Sequence, residues 1–202
     1  MRRVTRKATL RVAILLIGLL ALSGCSNWIV GDSITYLSTA RILQGNPATR
    51  LDADMGRGAH SPGLGGMPDG WTSILSHIDD VPVGGWFVVQ LGTNDLTRSK
   101  VEWQLFIAGV VDRLADDRCL AWVTPYNPEY QGAAATYAAL VTNGVRRQPC
   151  HAVIRWDEVA RMNPALTTDG YHPNDRGSAA LACMLDSVVY NSCRSTGPIT
   201  RD

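Results

Sequence analysis

No HExxH, P-loop or GxGxxG run occurs in the 202-residue chain, so metalloprotease, nucleotide and dinucleotide readings have no motif to rest on. There is no CxxC pair, which leaves zinc-ribbon and thioredoxin-like sites without support. GxSxG is missing too, which argues against the nucleophile elbow of the α/β-hydrolases. The chain also lacks a long polar tract, an internal repeat and an interdomain linker. With hydrophobic residues at 46% and charged residues at 18%, its length fits one compact domain. Neither a metal nor a cofactor is expected.

Acidic residues are absent from the first 24 positions, where Arg2, Arg3, Arg6, Lys7 and Arg11 precede the apolar run from Val12 to Leu22. That is the layout of an export signal. The run falls short of the ~20 apolar residues that a comfortable bilayer span needs. The tetrapeptide Leu22-Ser23-Gly24-Cys25 resembles the bacterial lipobox, which implies a lipid on Cys25 and a mature domain of residues 25–202 held at the outer face of a membrane. Ordinary cleavage nearby and an uncleaved anchor are the alternatives. Taking the segment's five basic residues from the chain's 19 leaves 14 against 18 acidic ones, a net of −4. No basic stripe remains to bind nucleic acid.

Beyond Cys25 there are four cysteines, and in an oxidising compartment an even number invites two disulfides with three possible connectivities. Cys119 and Cys150 each stand immediately before an apolar strand, Leu120 to Thr124 and Ala152 to Trp156. Neighbouring parallel strands would bring them together. Cys183 with Cys193 is the remaining pair, and it requires the chain to turn back after the last helix. Buried free thiols are the alternative.

Strand and helix patterns alternate along the chain. Strands are expected at Trp28 to Val30, Arg50 to Ala53 and Trp86 to Leu91, as well as at the two cysteine-led segments. Helical spacing is expected over Ile34 to Leu43 (Ile34, Leu37, Ala40 and Leu43 inward), Trp71 to Ile78, Val101 to Leu114 (Val101, Leu105, Val110, Val111 and Leu114 inward), Ala133 to Val145, and Arg176 to Val189. Such alternation implies an α/β fold, a parallel sheet covered on both faces. Polar and glycine-rich segments follow the strand ends, and in open α/β sheets the ligand crevice lies there.

Ser33 sits at the first strand-to-helix turn, where its hydroxyl can face the crevice and its amide is one of the unpaired donors of a helix N-terminus. Alone it would read as a helix cap. Asn94, in Gly92-Thr93-Asn94-Asp95 after an apolar strand, can offer its amide to a developing oxyanion. Asp169-Gly170-Tyr171-His172-Pro173 supplies the base: three residues of separation let the carboxylate take the imidazole Nδ1–H and turn Nε2 toward the serine. Asp32 and Asp95 read as turn stabilisers, and His60, His77 and His151 as surface histidines.

In order, these blocks resemble those of the SGNH, or GDSL, hydrolase family over nearly all of the chain from Trp28 onward. Gly31-Asp32-Ser33-Ile34 matches the nucleophile block, with Ile34 where the family name has Leu. Gly92-Thr93-Asn94-Asp95 matches the block of the oxyanion-binding Asn, and Asp169-x-x-His172 the acid–base block. The resemblance implies a three-layer α/β/α sandwich with a flavodoxin-like five-stranded parallel sheet. It also implies an esterase acting through a Ser33–His172–Asp169 triad; with the export signal, a monomeric, exported enzyme is expected. The oxyanion donors it implies are the Ser33 amide, Asn94 and a glycine amide from Asp52-Ala53-Asp54-Met55-Gly56-Arg57-Gly58, with Gly56 favoured and Gly58 open. Short spacing between the blocks points to short acyl or acetyl esters, of small molecules or glycans. An acetyltransferase acting on cell-envelope glycans, and a non-catalytic binding module, are the rival readings.

Overall fold

The computed structural model describes residues 27–190; the expected export segment, Cys25 and Cys193 lie outside the described residues. Five strands form one parallel sheet: β1 (Trp28–Gly31), β2 (Arg50–Ala53), β3 (Trp86–Gln90), β4 (Cys119–Val123) and β5 (Cys150–Ile154), in the order β2-β1-β3-β4-β5. That is the flavodoxin-like order, and the direction of winding reverses between β1 and β3. Among the described residues the α-helices are α1 (Ser33–Gly45), α2 (Gly70–His77), α3 (Lys100–Arg113), α4 (Gln131–Val145) and, after the last strand, α5 (Trp156–Met162) and α6 (Asp175–Leu185).

Because side chains alternate across a strand, the sheet divides the core in two. Val30, Phe87, Val89, Leu120 and Trp122 face one layer, built with Ile74 of α2, Phe106 and Val110 of α3 and Tyr137 and Val141 of α4. Ile29, Trp86, Val88, Ala121 and Val123 face the other, built with Ile34 and Ile42 of α1, Trp156 of α5 and Leu181 and Leu185 of α6. The result is the three-layer α/β/α sandwich. Every residue of β3 and β4 is buried, as central strands covered on both faces require. No helix among the described residues is long and apolar enough to cross a membrane.

Cys119 and Cys150 are register partners on β4 and β5 and are joined by a disulfide. Cys183 is exposed on α6, and its expected partner Cys193 lies outside the described residues.

The inner faces of two helices differ from expectation. Val101 and Leu105 of α3 are exposed, while Trp103, Phe106 and Ile107 are buried with Val110 and Val111. Trp122 and Tyr137 present a wide aromatic surface beneath the helix, where Phe106 meets Trp122 edge-on and Trp103 meets Tyr137 at a tilt. On α1, Leu37 and Ala40 are exposed, and Thr35 and Ser38 turn inward instead. Ser38 meets Ser178 of α6 through a hydroxyl–hydroxyl bond of 3.3 Å, a contact that small side chains allow between closely packed helices. Trp156, expected at the end of β5, opens α5 and is fully buried.

Candidate active site

The turn after β1 is the first component. Asp32 caps α1, its Oδ1 accepting the Ile34 N–H at 2.9 Å, which leaves Ser33 as the first helical residue. Gly31 is required just before it, because a Cβ there would stand 2.3 Å from Thr35 Oγ1. Thr35 cannot retreat: its N–H and hydroxyl both donate to the Gln90 side-chain oxygen, at 3.1 and 3.0 Å. Gln90, wholly buried at the end of β3, also accepts the Asp32 N–H at 3.3 Å. One amide oxygen thus ties the serine turn to the neighbouring strand.

Asp32 is wholly enclosed, and that burial pushes its carboxyl up to about 6 despite the hydrogen bond from the Ile34 N–H. Its second oxygen reaches the Thr93 N–H at 3.4 Å, linking the β1 turn to the loop after β3. The turn-stabilising role expected of Asp32 is what its bonds perform. Asp95 acts likewise, accepting the Ala59 N–H at 2.7 Å and the Arg98 Nε–H at 3.0 Å.

The loop before α6 brings the second component. Thr167 and Pro173 pair across it, and the Thr168 N–H donates to the His172 carbonyl at 2.8 Å. Gly170, at φ 100°, lets the chain pass Pro128, whose Cγ would lie 2.9 Å from an added Cβ. Asp169 folds back so that Oδ1 accepts the N–H groups of Tyr171 and His172, at 3.2 and 2.9 Å. Its Oδ2 lies 2.6 Å from His172 Nδ1. Partial burial raises the Asp169 carboxyl, but the bonds from the His172 ring and the two backbone N–H groups outweigh it and hold the group below the ordinary carboxylate range. A carboxylate accepts only, so Nδ1 carries the proton and Nε2 is left as an acceptor. His172 Nε2 stands 2.9 Å from Ser33 Oγ. Residues 139 positions apart therefore form one chain of hydrogen bonds, Ser33 to His172 to Asp169.

The third component is a set of N–H donors. Asn94 is exposed at the tip of the β3 loop and gives one amide hydrogen to the Arg57 carbonyl at 2.8 Å, leaving the other available. The Gly58 N–H is committed to the Ser61 carbonyl at 3.0 Å. Gly56, at φ 70°, has no acceptor for its N–H among the described residues, and neither has the Ser33 N–H. The two glycines left open by sequence thus differ in which has a free donor. Arg57 was not singled out by sequence, yet it is wholly buried and braces this loop. His77, expected on the surface, is half-buried and stacks on Trp28 at 3.8 Å with its Nε2 3.2 Å from Asp52. His60 is exposed as expected. Among the described residues no cluster of His, Cys, Asp and Glu could hold a metal.

A serine hydroxyl aligned on an imidazole, itself aligned on a carboxylate, is the arrangement that activates an oxygen nucleophile. It sits at the carboxyl ends of β1 and β3, where the winding reverses and open α/β sheets bind ligands.

No family model and no curated protein sequence matches the chain. Solved structures do. The C-terminal catalytic domain of Streptococcus pneumoniae peptidoglycan O-acetyltransferase A aligns over 83% of this chain and 93% of its own at 16% identity, with a TM-score of 0.66. A psychrotrophic esterase from Pseudoalteromonas aligns over 84% and 100% at 14% identity and 0.61. A lipolytic G-D-S-L family member from Veillonella parvula aligns over 81% and 97% at 12% identity and 0.58. The chain has the fold that these SGNH/GDSL-type enzymes share.

Proposed function

We propose that this chain is an exported serine esterase that forms an acyl-enzyme on Ser33. The observation that carries the reading is the 2.9 Å contact between Ser33 Oγ and His172 Nε2, continued at 2.6 Å from His172 Nδ1 to Asp169. His172 takes the Ser33 proton as Oγ attacks the ester carbonyl; the carbonyl π electrons move to oxygen. The oxyanion is met by the N–H groups of Ser33 and Gly56 and the free amide hydrogen of Asn94. Collapse expels the alkoxide, which takes the proton from His172, and leaves the acyl group on Ser33. Water then attacks in the same way and regenerates the enzyme. Asp169 stays ionised and balances the imidazolium charge.

The Cys119–Cys150 disulfide supports an oxidising compartment outside the cytoplasm, and lipidation at Cys25 would hold the domain at the membrane. The likeness to a peptidoglycan O-acetyltransferase domain favours acetyl esters of glycans as the substrate class and raises a second reading, in which a sugar hydroxyl replaces water in the second half-reaction.

The test is turnover of p-nitrophenyl acetate and butyrate, with acetylated glycans alongside and sugar acceptors added. Wild-type protein should release p-nitrophenol, and folded Ser33→Ala protein should not. Undiminished turnover by the purified variant would refute the reading. Acetylated acceptor in the products would identify the transferase.

A further inference from the structure

The β2–α2 loop holds a fully buried arginine, a costly feature. The Arg57 side chain has no exposure, and its partner Asp52 is 8% exposed. Replacing a buried ion pair by apolar side chains of similar volume is often neutral or even stabilising, so stability alone does not account for the pair. Its contacts point elsewhere.

The Arg57 Nη1 donates to the Asp52 carbonyl at 2.8 Å and to the Gly31 carbonyl at 3.4 Å, while Nη2 donates to Asp52 Oδ1 at 2.7 Å. The guanidinium therefore clamps together the ends of β1 and β2, two residues before Ser33. The other Asp52 oxygen is closed by His77, stacked on Trp28. Meanwhile the backbone carbonyl of Arg57 accepts the Asn94 amide hydrogen at 2.8 Å, and the free N–H of Gly56 lies one residue earlier in the same loop. All three donors assigned to the oxyanion, on three separate segments, meet in the supports of this one residue.

Resting on the esterase reading, we infer that the Arg57–Asp52 pair is a positioning pair for oxyanion stabilisation. It sets the Gly56 amide and the rotamer of Asn94 relative to Ser33, without touching substrate. Donors aimed at developing charge work only when held in place beforehand. A loop released by ~1 Å would bind the flat ester much as before and the tetrahedral oxyanion poorly.

The test compares wild type, Arg57→Lys and Asp52→Asn in p-nitrophenyl butyrate hydrolysis, with active sites counted by fluorophosphonate labelling and Ki measured for an alkyl boronic acid that mimics the tetrahedral adduct. A single ammonium cannot reproduce the guanidinium fork. Arg57→Lys should lose about 10- to 100-fold in kcat per labelled site, keep KM within about threefold, and bind the boronic acid more weakly in proportion to kcat/KM. Asp52→Asn keeps the shape and the Oδ1 acceptor, and should show the same pattern with a several-fold loss. If Arg57→Lys does not fold, Asp52→Asn decides. A lower melting temperature with unchanged kcat per labelled site and unchanged boronic-acid Ki would overturn the inference and leave a purely structural pair. Wild-type protein that is neither labelled at Ser33 nor active would instead overturn the esterase reading beneath it.

Discussion

Asp32 should make the fold more stable in acid than at neutral pH, against the trend of the other perturbed carboxylates. Its carboxyl rises from the ordinary 3.8 to about 6 because it is wholly enclosed. Between those values the folded chain holds a proton that the unfolded chain has lost. The contribution of this group to stability is therefore fully present below 3.8 and is lost as the pH rises through 6. A shift of roughly two pH units corresponds to about 3 kcal/mol. Asp157, Asp169 and Asp175 are shifted the other way and stabilise the fold as the pH rises, so the Asp32 effect is masked in the wild type alone. Asp32→Asn isolates it. The asparagine keeps an acceptor for the Ile34 N–H but gives the Thr93 N–H a donor to face, a fixed cost that does not vary with pH. Urea unfolding of both proteins from pH 3.5 to 7.5 gives the difference directly. The stability of wild type relative to the variant should fall by about 3 kcal/mol across that range, most of it between pH 4 and 6. A difference that is flat, or that grows with pH, would refute the assignment of a desolvated carboxylate beside the nucleophile.

Other outcomes are equally specific. Asn94→Ala should reduce kcat by about 10²- to 10³-fold with little change in KM, as loss of one oxyanion donor does in other hydrolases, read by steady-state kinetics on a p-nitrophenyl ester. His172→Ala should cost more than Asp169→Ala, because His172 moves the proton and Asp169 orients it; equal rates for the two variants would contradict the division of roles. The Cys119–Cys150 bridge closes a separation of 31 residues, so Cys119→Ala paired with Cys150→Ala should lower stability by about 3 to 4 kcal/mol. Because the bridge lies at the N-terminal ends of β4 and β5, kcat of the folded variant should stay within about twofold of wild type, by the same assay. Gly31→Ala would drive a methyl into Thr35 and should reduce both the melting temperature and labelling at Ser33.

Many polar residues crowd the sheet edge that holds the site, Asp32, Gln90, Thr93 and Asp95 among them, so position alone does not pick out Ser33, Asn94, Asp169 and His172. They were legible in the sequence through the order of the blocks that resemble the SGNH family, and the structure joins Ser33, His172 and Asp169 by hydrogen bonds. The strands were legible too, as short apolar runs punctuated by glycine and proline. Helix faces were harder. On α3 two apolar stripes are possible, and the buried one is chosen by Trp122 and Tyr137 across the layer, which periodicity alone does not contain. The choice between Gly56 and Gly58 depends on a loop bond, Gly58 N–H to the Ser61 carbonyl, that no local pattern announces. Gln90 and Arg57 went unread for a related reason: their roles lie in partners far along the chain. Gln90 carried a usable signal, a polar side chain within the apolar strand run from Phe87 to Leu91.

The account depends most directly on Ser33 becoming covalently acylated. Intact-protein and peptide mass spectrometry after brief exposure to p-nitrophenyl acetate, or to a fluorophosphonate, measures that step. One adduct per chain, located on Ser33 and absent from both Ser33→Ala and His172→Ala at short times, is the predicted result. An unmodified wild-type protein, or an adduct that persists in Ser33→Ala, would contradict it.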